Sequence, residues 1–520
     1  MSAQRGLVRS AGAMGVMTLL SRVFGYVRDL LLAAILGAAG SSDAFIIALR
    51  IPSLLRRLVG EGAMTAAFVP VFARQLRDAP PREAERFAGR AFGTLALLLG
   101  LLTLAGVLLS PLIVRGVAWG FLDSAGKWEL TVSLNRLMFP YLFFIGLAAL
   151  AMAILNSLGS FAVPAFTPVL LNLSIILSAL LVAPHLEEPA YAFAGGVLLG
   201  GFLQLVFQLP FLRARGIRIR PRLGLQDPAV RRVGMLMVPG FVGVGVYQIN
   251  LIVDAQFASF LADGSVSWLY YGDRITELVL GVFAISLSTV VLPTLSRHFA
   301  EGDAGKVAET LSGALRLVAF IAVPATVGLV LLRDPIVQVL FQRGEFGPED
   351  TVQTGWALLG YGVGLLPFSA VKMLAPAFYA QEDTRTPVKV AAACLGFHVA
   401  VCALLIGPLG HTGIALATSL ASTLNMLLLT WILARRIGMA FLLGVPTGLL
   451  RFGVAGGIMA LALRALGRLH PFPVTGAQAQ GAAWLAIAIA VGVATYSLSS
   501  LALGGREIRE LGAVLPWRRP

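Results

Sequence analysis

Long, nearly uncharged apolar runs set the first limit on what this chain can become. Leu95 to Ile113, Leu198 to Leu212 and Ala482 to Leu503 are examples. A helix needs about 20 residues to cross a hydrocarbon layer roughly 30 Å thick, so such runs predict membrane spans. Of 520 residues, 58% are apolar and only 13% are charged, too few to coat a soluble protein of this size. The fold class expected is an all-α polytopic membrane protein.

Fourteen candidate spans lie at about 10–36, 43–70, 90–114, 132–157, 164–184, 190–212, 232–262, 266–295, 310–332, 352–380, 387–408, 411–434, 444–467 and 481–503. The loops between them alternate in charge. Arg5 and Arg9, then Arg74 to Arg90, then Arg213 to Arg232, and later Arg297, Lys306, Arg385, Lys389, Arg435 and Arg436 fall on one side. Arg115, Lys127, Arg333, Arg343, Arg464 and Arg468 fall on the other. The positive-inside rule then places both termini in the cytoplasm, which an even number of spans permits.

The same rule accounts for the net charge of +14 without nucleic acid, since no basic, aromatic-studded surface segment stands out. Cys394 and Cys402 lie eight apart on one expected helix, about 12 Å along its axis, too far for a disulfide. The five histidines are scattered, so no metal site is expected. No cleavable signal peptide is expected either, because the first apolar stretch is interrupted by Arg22 and lacks a small-residue cleavage site.

The chain also repeats itself. Arg50–Ile51 through Phe68-Val69-Pro70 resembles Arg274–Ile275 through Val291-Leu292-Pro293; Pro111 pairs with Pro335, and Pro164 with Pro387. Every offset is 223 or 224 residues. Two related halves of six spans follow, at 1–222 and 223–437, both starting on the same side, with two further spans and a tail at 438–520. Parallel repeats of this kind belong to transporters with a central site between two bundles.

Several charges lie where a lipid-facing span would reject them. The first span holds Arg22, Arg28 and Asp29; the second holds Asp43, Arg50, Arg56, Arg57 and Glu61; the eighth holds Asp273, Arg274 and Glu277. Each arginine at the centre of a membrane helix costs roughly 2.5–3.5 kcal/mol. These side chains must face a hydrated cavity, pair with carboxylates, or reach an interface. Arg22 and Asp29 are seven apart and share a helix face, as do Asp43, Arg50 and Arg57, while Glu61 follows Arg57 by four. Pro52 is expected to kink the second span. The competing reading of Asp43, Arg56 and Arg57 is a set of structural ion pairs and snorkelling arginines. Around Arg22, Arg28 and Arg274 cations outnumber anions, which invites an anionic ligand. The planar guanidinium fork suits phosphate or pyrophosphate.

Asp254 lies deep in the seventh span, where a carboxylate either binds a coupling sodium ion or proton or is protonated and bonded to a neighbour. Asp383, in the turn Glu382-Asp383-Thr384-Arg385-Thr386-Pro387, reads as a helix cap rather than an ion ligand. No phosphate-binding loop of the Gly-x-x-x-x-Gly-Lys-Ser/Thr type is present, so ATP use is not expected.

The block Ser21-Arg22-Val23-Phe24-Gly25-Tyr26-Val27-Arg28-Asp29, then Asp43-Ala44-Phe45, Arg50-Ile51-Pro52, Leu54-Leu55-Arg56-Arg57, Glu61-Gly62 and Ala67-Phe68-Val69-Pro70, closely resembles the amino-terminal signature of the MurJ (MviN) lipid II flippases. Ser267-Trp268-Leu269-Tyr270-Tyr271-Gly272-Asp273-Arg274 resembles that family's eighth span. The resemblance implies the fold of the multidrug/oligosaccharidyl-lipid/polysaccharide exporter superfamily: two six-helix bundles around a V-shaped cavity, with the last two spans forming a groove for a polyprenyl tail. It implies that Arg22, Arg28, Arg56 and Arg274 bind the headgroup pyrophosphate, and that Asp29, Asp43, Glu61 and Ser267 stand near the cavity. Arg50 replaces the lysine of some relatives and keeps its charge. Asp254 resembles an acidic member of the sodium site found in some relatives, whose other ligands have no clear match here.

The expected function is therefore transport, not catalysis. A lipid II flippase would carry the undecaprenyl-pyrophosphate-linked peptidoglycan precursor across the bacterial cytoplasmic membrane by alternating access. Membrane potential would favour outward movement of the anionic headgroup, the partners would be lipid II and membrane lipids, and the chain would act as a monomer without a cofactor. An exporter of another lipid-linked glycan would present the same pyrophosphate. A membrane-embedded glycosyltransferase would need a catalytic acid or base in a large outer loop, and the longest outer segments, near Arg115–Leu130 and Arg333–Asp350, are short.

Overall fold

The computed structural model describes residues 2–59, 63–78, 80–124, 126–473, 478–505 and 507. Every regular element among the described residues is helical. Physics leaves long apolar segments little choice, because in lipid a helix alone satisfies each N–H and C=O within its own segment. The chain forms two compact units, one of Met1–Ser267 with Arg343–Phe346 and one of Trp268–Gln342 with Gly347–Pro520.

In the first unit the helices are α1 (Ser2–Leu36), α2 (Gly40–Val59), α3 (Ala63–Asp78), α4 (Pro81–Leu108), α5 (Ser110–Val117), α6 (Lys127–Met138), α7 (Tyr141–Ser157), α8 (Ala162–Leu181), α9 (Ala190–Ala214) and α10 (Pro228–Ala258). α11 (Ser265–Ala300) starts in this unit and continues in the second. The second unit adds α12 (Ala304–Leu331), α13 (Arg333–Phe341), α14 (Pro348–Gly362), α15 (Leu365–Tyr379), α16 (Arg385–Ile437), α17 (Val445–Leu469) and α18 (Gln478–Ala502).

Several expected spans prove to be helix pairs, and local chemistry explains the breaks. The sequence reads 90–114 as one span, but Pro111 has no N–H to bond backward, and the chain divides into α4 and α5 just before it. Pro140 likewise separates α6 from α7, and Gly362 to Gly364 separates α14 from α15 with a bend of 40°. The stretch read as 43–70 is two helices, α2 and α3, with 60–62 between them outside the described residues. α16 contains two expected spans, broken at Gly410, whose φ of 54° only glycine adopts readily. Among the described residues, eight helical stretches are long and apolar enough to cross a membrane, or nine if α14 and α15 form one bent span. The count of fourteen is therefore not reached by length and composition alone.

Large apolar side chains point outward along these helices. Leu101, Leu104, Leu108 and Leu112 on α4 and α5, Leu404 on α16, Leu450 and Leu461 on α17, and Leu498 on α18 are all exposed. A belt of this kind matches a hydrocarbon surround. Inside the first unit α8 lies between α1 and α9, and Ser174 of α8 donates to the Gly196 carbonyl of α9 at 3.0 Å. Gln204 and Gln208 of α9 donate to the carbonyls of Thr167 and Ala148 at 3.0 and 3.1 Å, the polar glue that replaces a hydrophobic driving force between membrane helices. In the second unit, Leu311, Met373, Phe378 and Leu433 knit α12, α15 and α16 together, while Phe320, Phe452, Met459 and Tyr496 join α12, α17 and α18.

One segment outside the helices is held as firmly as the helices themselves. The extended chain from Ile217 to Gly224 lies along α4: Arg222 N–H donates to the Gly89 carbonyl at 3.0 Å and Gly224 N–H to the Thr94 hydroxyl at 2.9 Å. A Cβ at Gly89 or Gly93 would strike the backbone of Arg220 or Arg222. At the end of this strap Asp227 accepts from Arg90 at 2.8 Å and from the Ala229 N–H at 2.8 Å, capping α10.

Candidate functional site

In α1, Arg28 and Asp29 form a half-buried pair. The Arg28 Nε and Nη2 reach Asp29 Oδ1 at 3.0 and 2.7 Å, and Nη1 reaches the Asn172 side-chain oxygen of α8 at 3.1 Å. Asn172 in turn donates to the Ser21 carbonyl at 3.1 Å, tying this arginine to the wall behind it. Arg22, which shares a face with Asp29 in the heptad reading, is exposed, and the carboxylate is engaged by Arg28.

The Asp43, Arg50 and Arg57 row on α2 does not act as one ladder. Asp43 is buried and accepts four hydrogen bonds: Oδ1 takes the Ser267 N–H at 2.9 Å and hydroxyl at 2.7 Å, and Oδ2 takes the Lys127 ammonium at 2.8 Å and the Gly264 N–H at 2.9 Å. Two of those donors are backbone groups opening α11, so the carboxylate also meets the positive end of that helix dipole. Lys127 is 6% exposed and carries a second carboxylate, Asp263, at 2.7 Å. Arg50 turns elsewhere, donating from Nη1 to the Leu251 carbonyl of α10 at 3.0 Å. Arg56 and Arg57 are half-buried at the last turn of α2. Glu61 lies outside the described residues. Asp254 is buried in α10.

In the second unit Arg274 donates to Glu277 at 3.1 Å and to the Tyr270 hydroxyl at 3.3 Å, with its guanidinium 5.2 Å from the Tyr270 ring centre. Asp273 is half-buried beside it. Lys372, half-buried on α15, interacts electrostatically with Glu277. Glu277 therefore bonds one cation and attracts a second at longer range.

Sequence reasoning missed three of these participants. Lys127 reads as one more outer-loop cation, and its role depends on a partner 84 residues away. Asn172 is a lone amide in an apolar span. Lys372 was open to the rule that exposed the others, since a cation inside an apolar segment needs an explanation. The two cysteines form no disulfide, as their spacing requires, and both are buried. Asp383 accepts from the Arg385 and Thr386 N–H groups at 3.0 and 2.9 Å and from Arg436 at 2.8 Å; it caps α16.

Eight or nine apolar helical stretches long enough to cross a membrane, beside helices that carry arginine–carboxylate pairs, define a polytopic membrane protein. An inward-facing multidrug transporter of the MATE family shares the fold at a TM-score of 0.68, 15% identity and 83% coverage of this chain and 98% of that one. The family model described as "Lipid II flippase MurJ" matches residues 32–473. The "Probable lipid II flippase MurJ" of Vibrio cholerae is 45% identical over 431 residues, 81% of this chain and 82% of the relative. The "Lipid II flippase MurJ" of Burkholderia cenocepacia is 39% identical over 417 residues, 79% and 81% of the two chains. A solved structure titled "Lipid II flippase MurJ, inward closed conformation" superposes at a TM-score of 0.78 with 26% identity, covering 94% of this chain and 98% of that one. This chain belongs to the lipid II flippase MurJ family.

Proposed function

We propose that this chain is a lipid II flippase, a transporter rather than an enzyme, working in the bacterial inner membrane. The observation that carries the reading beyond family membership is the cation excess in α1 and α2. Among the described residues these helices hold Arg22, Arg28, Arg50, Arg56 and Arg57 against Asp29 and Asp43, and Lys127 and the α11 backbone already occupy Asp43. A pyrophosphate balances this excess of cations, and guanidinium groups bind it through paired, charge-assisted hydrogen bonds. Arg22, Arg28, Arg56 and Arg274 are the proposed ligands, with Asp29, Glu277 and Asn172 fixing their orientation. A drug exporter for cations would need the opposite charge.

The cycle proposed is alternating access. Both termini lie in the cytoplasm on the positive-inside argument, the chain works as a monomer, and α17 and α18 guide the polyprenyl tail. Each unit negative charge moved outward across the full field gains about 2.3 kcal/mol per 100 mV. Asp254 is the proposed binding point of a coupling sodium ion or proton.

Complementation tests the reading. Cells depleted of their own lipid II flippase receive the wild type, Arg28→Ala or Arg274→Ala, and externalised lipid II is scored. Rescue by wild type and loss in both variants at normal membrane levels is the expected result. Failure of well-expressed wild type would assign the chain to another lipid-linked glycan. Rescue by all three would keep the function and remove these two arginines from the site.

A further inference from the structure

Two loops of the first unit do the same thing at positions related by the repeat. The Ala118–Ser124 loop ends at the carboxyl terminus of α10: Gly120 N–H donates to the Ser259 hydroxyl at 3.0 Å and Trp119 N–H to the Gln256 side chain at 3.2 Å. A Cβ at Gly120 would overlap the Ser259 carbonyl. Arg343–Phe346 ends at the carboxyl terminus of α1: Glu345 N–H donates to the Ala34 carbonyl at 2.9 Å, and a Cβ at Gly344 would overlap that same oxygen.

Gly344 follows Gly120 by 224 residues, and the close neighbours Ala34 and Ser259 match to within one position at that offset. Each loop also buries one phenylalanine, Phe121 or Phe346, both 1% exposed. The helix ends they reach carry carbonyls with no partner inside the helix. Asp43 and Ser267, another pair at the same offset, bond at this same end of the unit.

We infer that the Gly120 and Gly344 loops are paired clips of one gate, which holds this end of the first unit closed and must release for a headgroup to leave. The inference rests on the transport reading and on the orientation proposed above, which puts both loops on the outer face. A backbone gate of this type needs glycine at both seats, because each Cα lies against a carbonyl oxygen more closely than any side chain allows. It also needs bonds weak enough to break in each cycle, and three neutral hydrogen bonds, each worth about 0.5–1.5 kcal/mol, meet that need.

Accessibility is the test, and it reads the gate without any lipid-linked substrate. Ser42, fully buried beside Asp43, is replaced by Cys in a chain carrying Cys394→Ala and Cys402→Ala. Labelling by a membrane-impermeant maleimide is then timed on intact cells. Gly120→Val or Gly344→Val should each speed labelling by about tenfold, the effect of one lost hydrogen bond on a two-state equilibrium. Unchanged labelling in variants present at wild-type levels overturns the proposal.

A second arm locks the contact instead of breaking it, and is scored in protein that reaches the membrane at wild-type levels. In Gly37→Cys/Glu345→Cys the new Cβ at 37 would stand 3.2 Å from that of residue 345 and 2.7 Å from its carbonyl oxygen, at a φ of +61°, so a small backbone shift brings the pair to the roughly 3.5–4.5 Å of a disulfide. Oxidation should stop export of the lipid-linked precursor and reduction should restore it. Export that continues in the oxidised protein overturns the clip and leaves the transport function standing.

Discussion

Asp43 and Ser267 stand 224 residues apart and meet through two hydrogen bonds to one carboxylate oxygen, at 2.9 and 2.7 Å. That separation is the offset of the internal repeat, so equivalent positions of the two halves touch one another. The other oxygen holds the buried ammonium of Lys127. Removing one partner of a buried pair costs about 3–5 kcal/mol, because the remaining charge stays desolvated. Asp43→Asn and Lys127→Met should each lower the unfolding midpoint in detergent strongly. The double variant should cost clearly less than the sum of the two. Additive losses would show that the two charges do not depend on each other.

Arg28 separates geometry from charge. Its fork engages Asp29 and Asn172 at once, and a lysine ammonium cannot reproduce that plane. Arg28→Lys should therefore reduce externalised lipid II by about tenfold or more at normal protein levels, the worth of a charge-assisted hydrogen bond of about 1.5–3 kcal/mol. Activity equal to wild type would mean that a positive charge suffices.

Glu277 bonds Arg274 and lies within electrostatic reach of Lys372. Glu277→Gln keeps a hydrogen-bonding side chain but removes the negative charge that acts on both cations. Transport should fall, and adding Lys372→Gln should recover part of it. If Lys372→Gln instead worsens the loss, the lysine contacts the substrate directly.

The cap of α16 should make stability depend on pH in one direction. Hydrogen bonds from Thr386 hold the Asp383 carboxyl well below its ordinary range, and Arg436 adds to the effect. A depressed folded-state value gives stability that is fully present above the unfolded value of about 3.9 and is lost as pH falls through the folded value. Thermal unfolding of the wild type should show this loss only below about pH 4. Asp383→Asn should be less stable at neutral pH and should lack that component of the acid slope.

How much of this could be read from the chain alone depends on how local each signal is. A 20-residue apolar run and an arginine inside a helix are local, so the long apolar helices and the charges carried by α1, α2 and α11 are legible. Proline announces the breaks before Ser110 and Tyr141 only once helices are known to end there. Partner choice is not local. Asp29 takes its immediate neighbour instead of Arg22, and Asp43 takes Lys127 from an apparent outer loop. Both choices follow from which helices pack together, and no periodicity encodes that.

The strap from Ile217 to Gly224 carries a last consequence. Arg213, Arg215, Arg218, Arg220 and Arg222 make this stretch look like an ideal substrate for trypsin. A protease must draw several residues into its cleft in an extended form, and here the amides of Arg222 and Gly224 are already spoken for by α4. The bond after Arg222 should therefore survive digestion that cuts other basic loops, and Gly93→Leu, which fills the groove, should open it to cleavage. The most basic connecting segment of the chain is in this sense a splint rather than a loose tether.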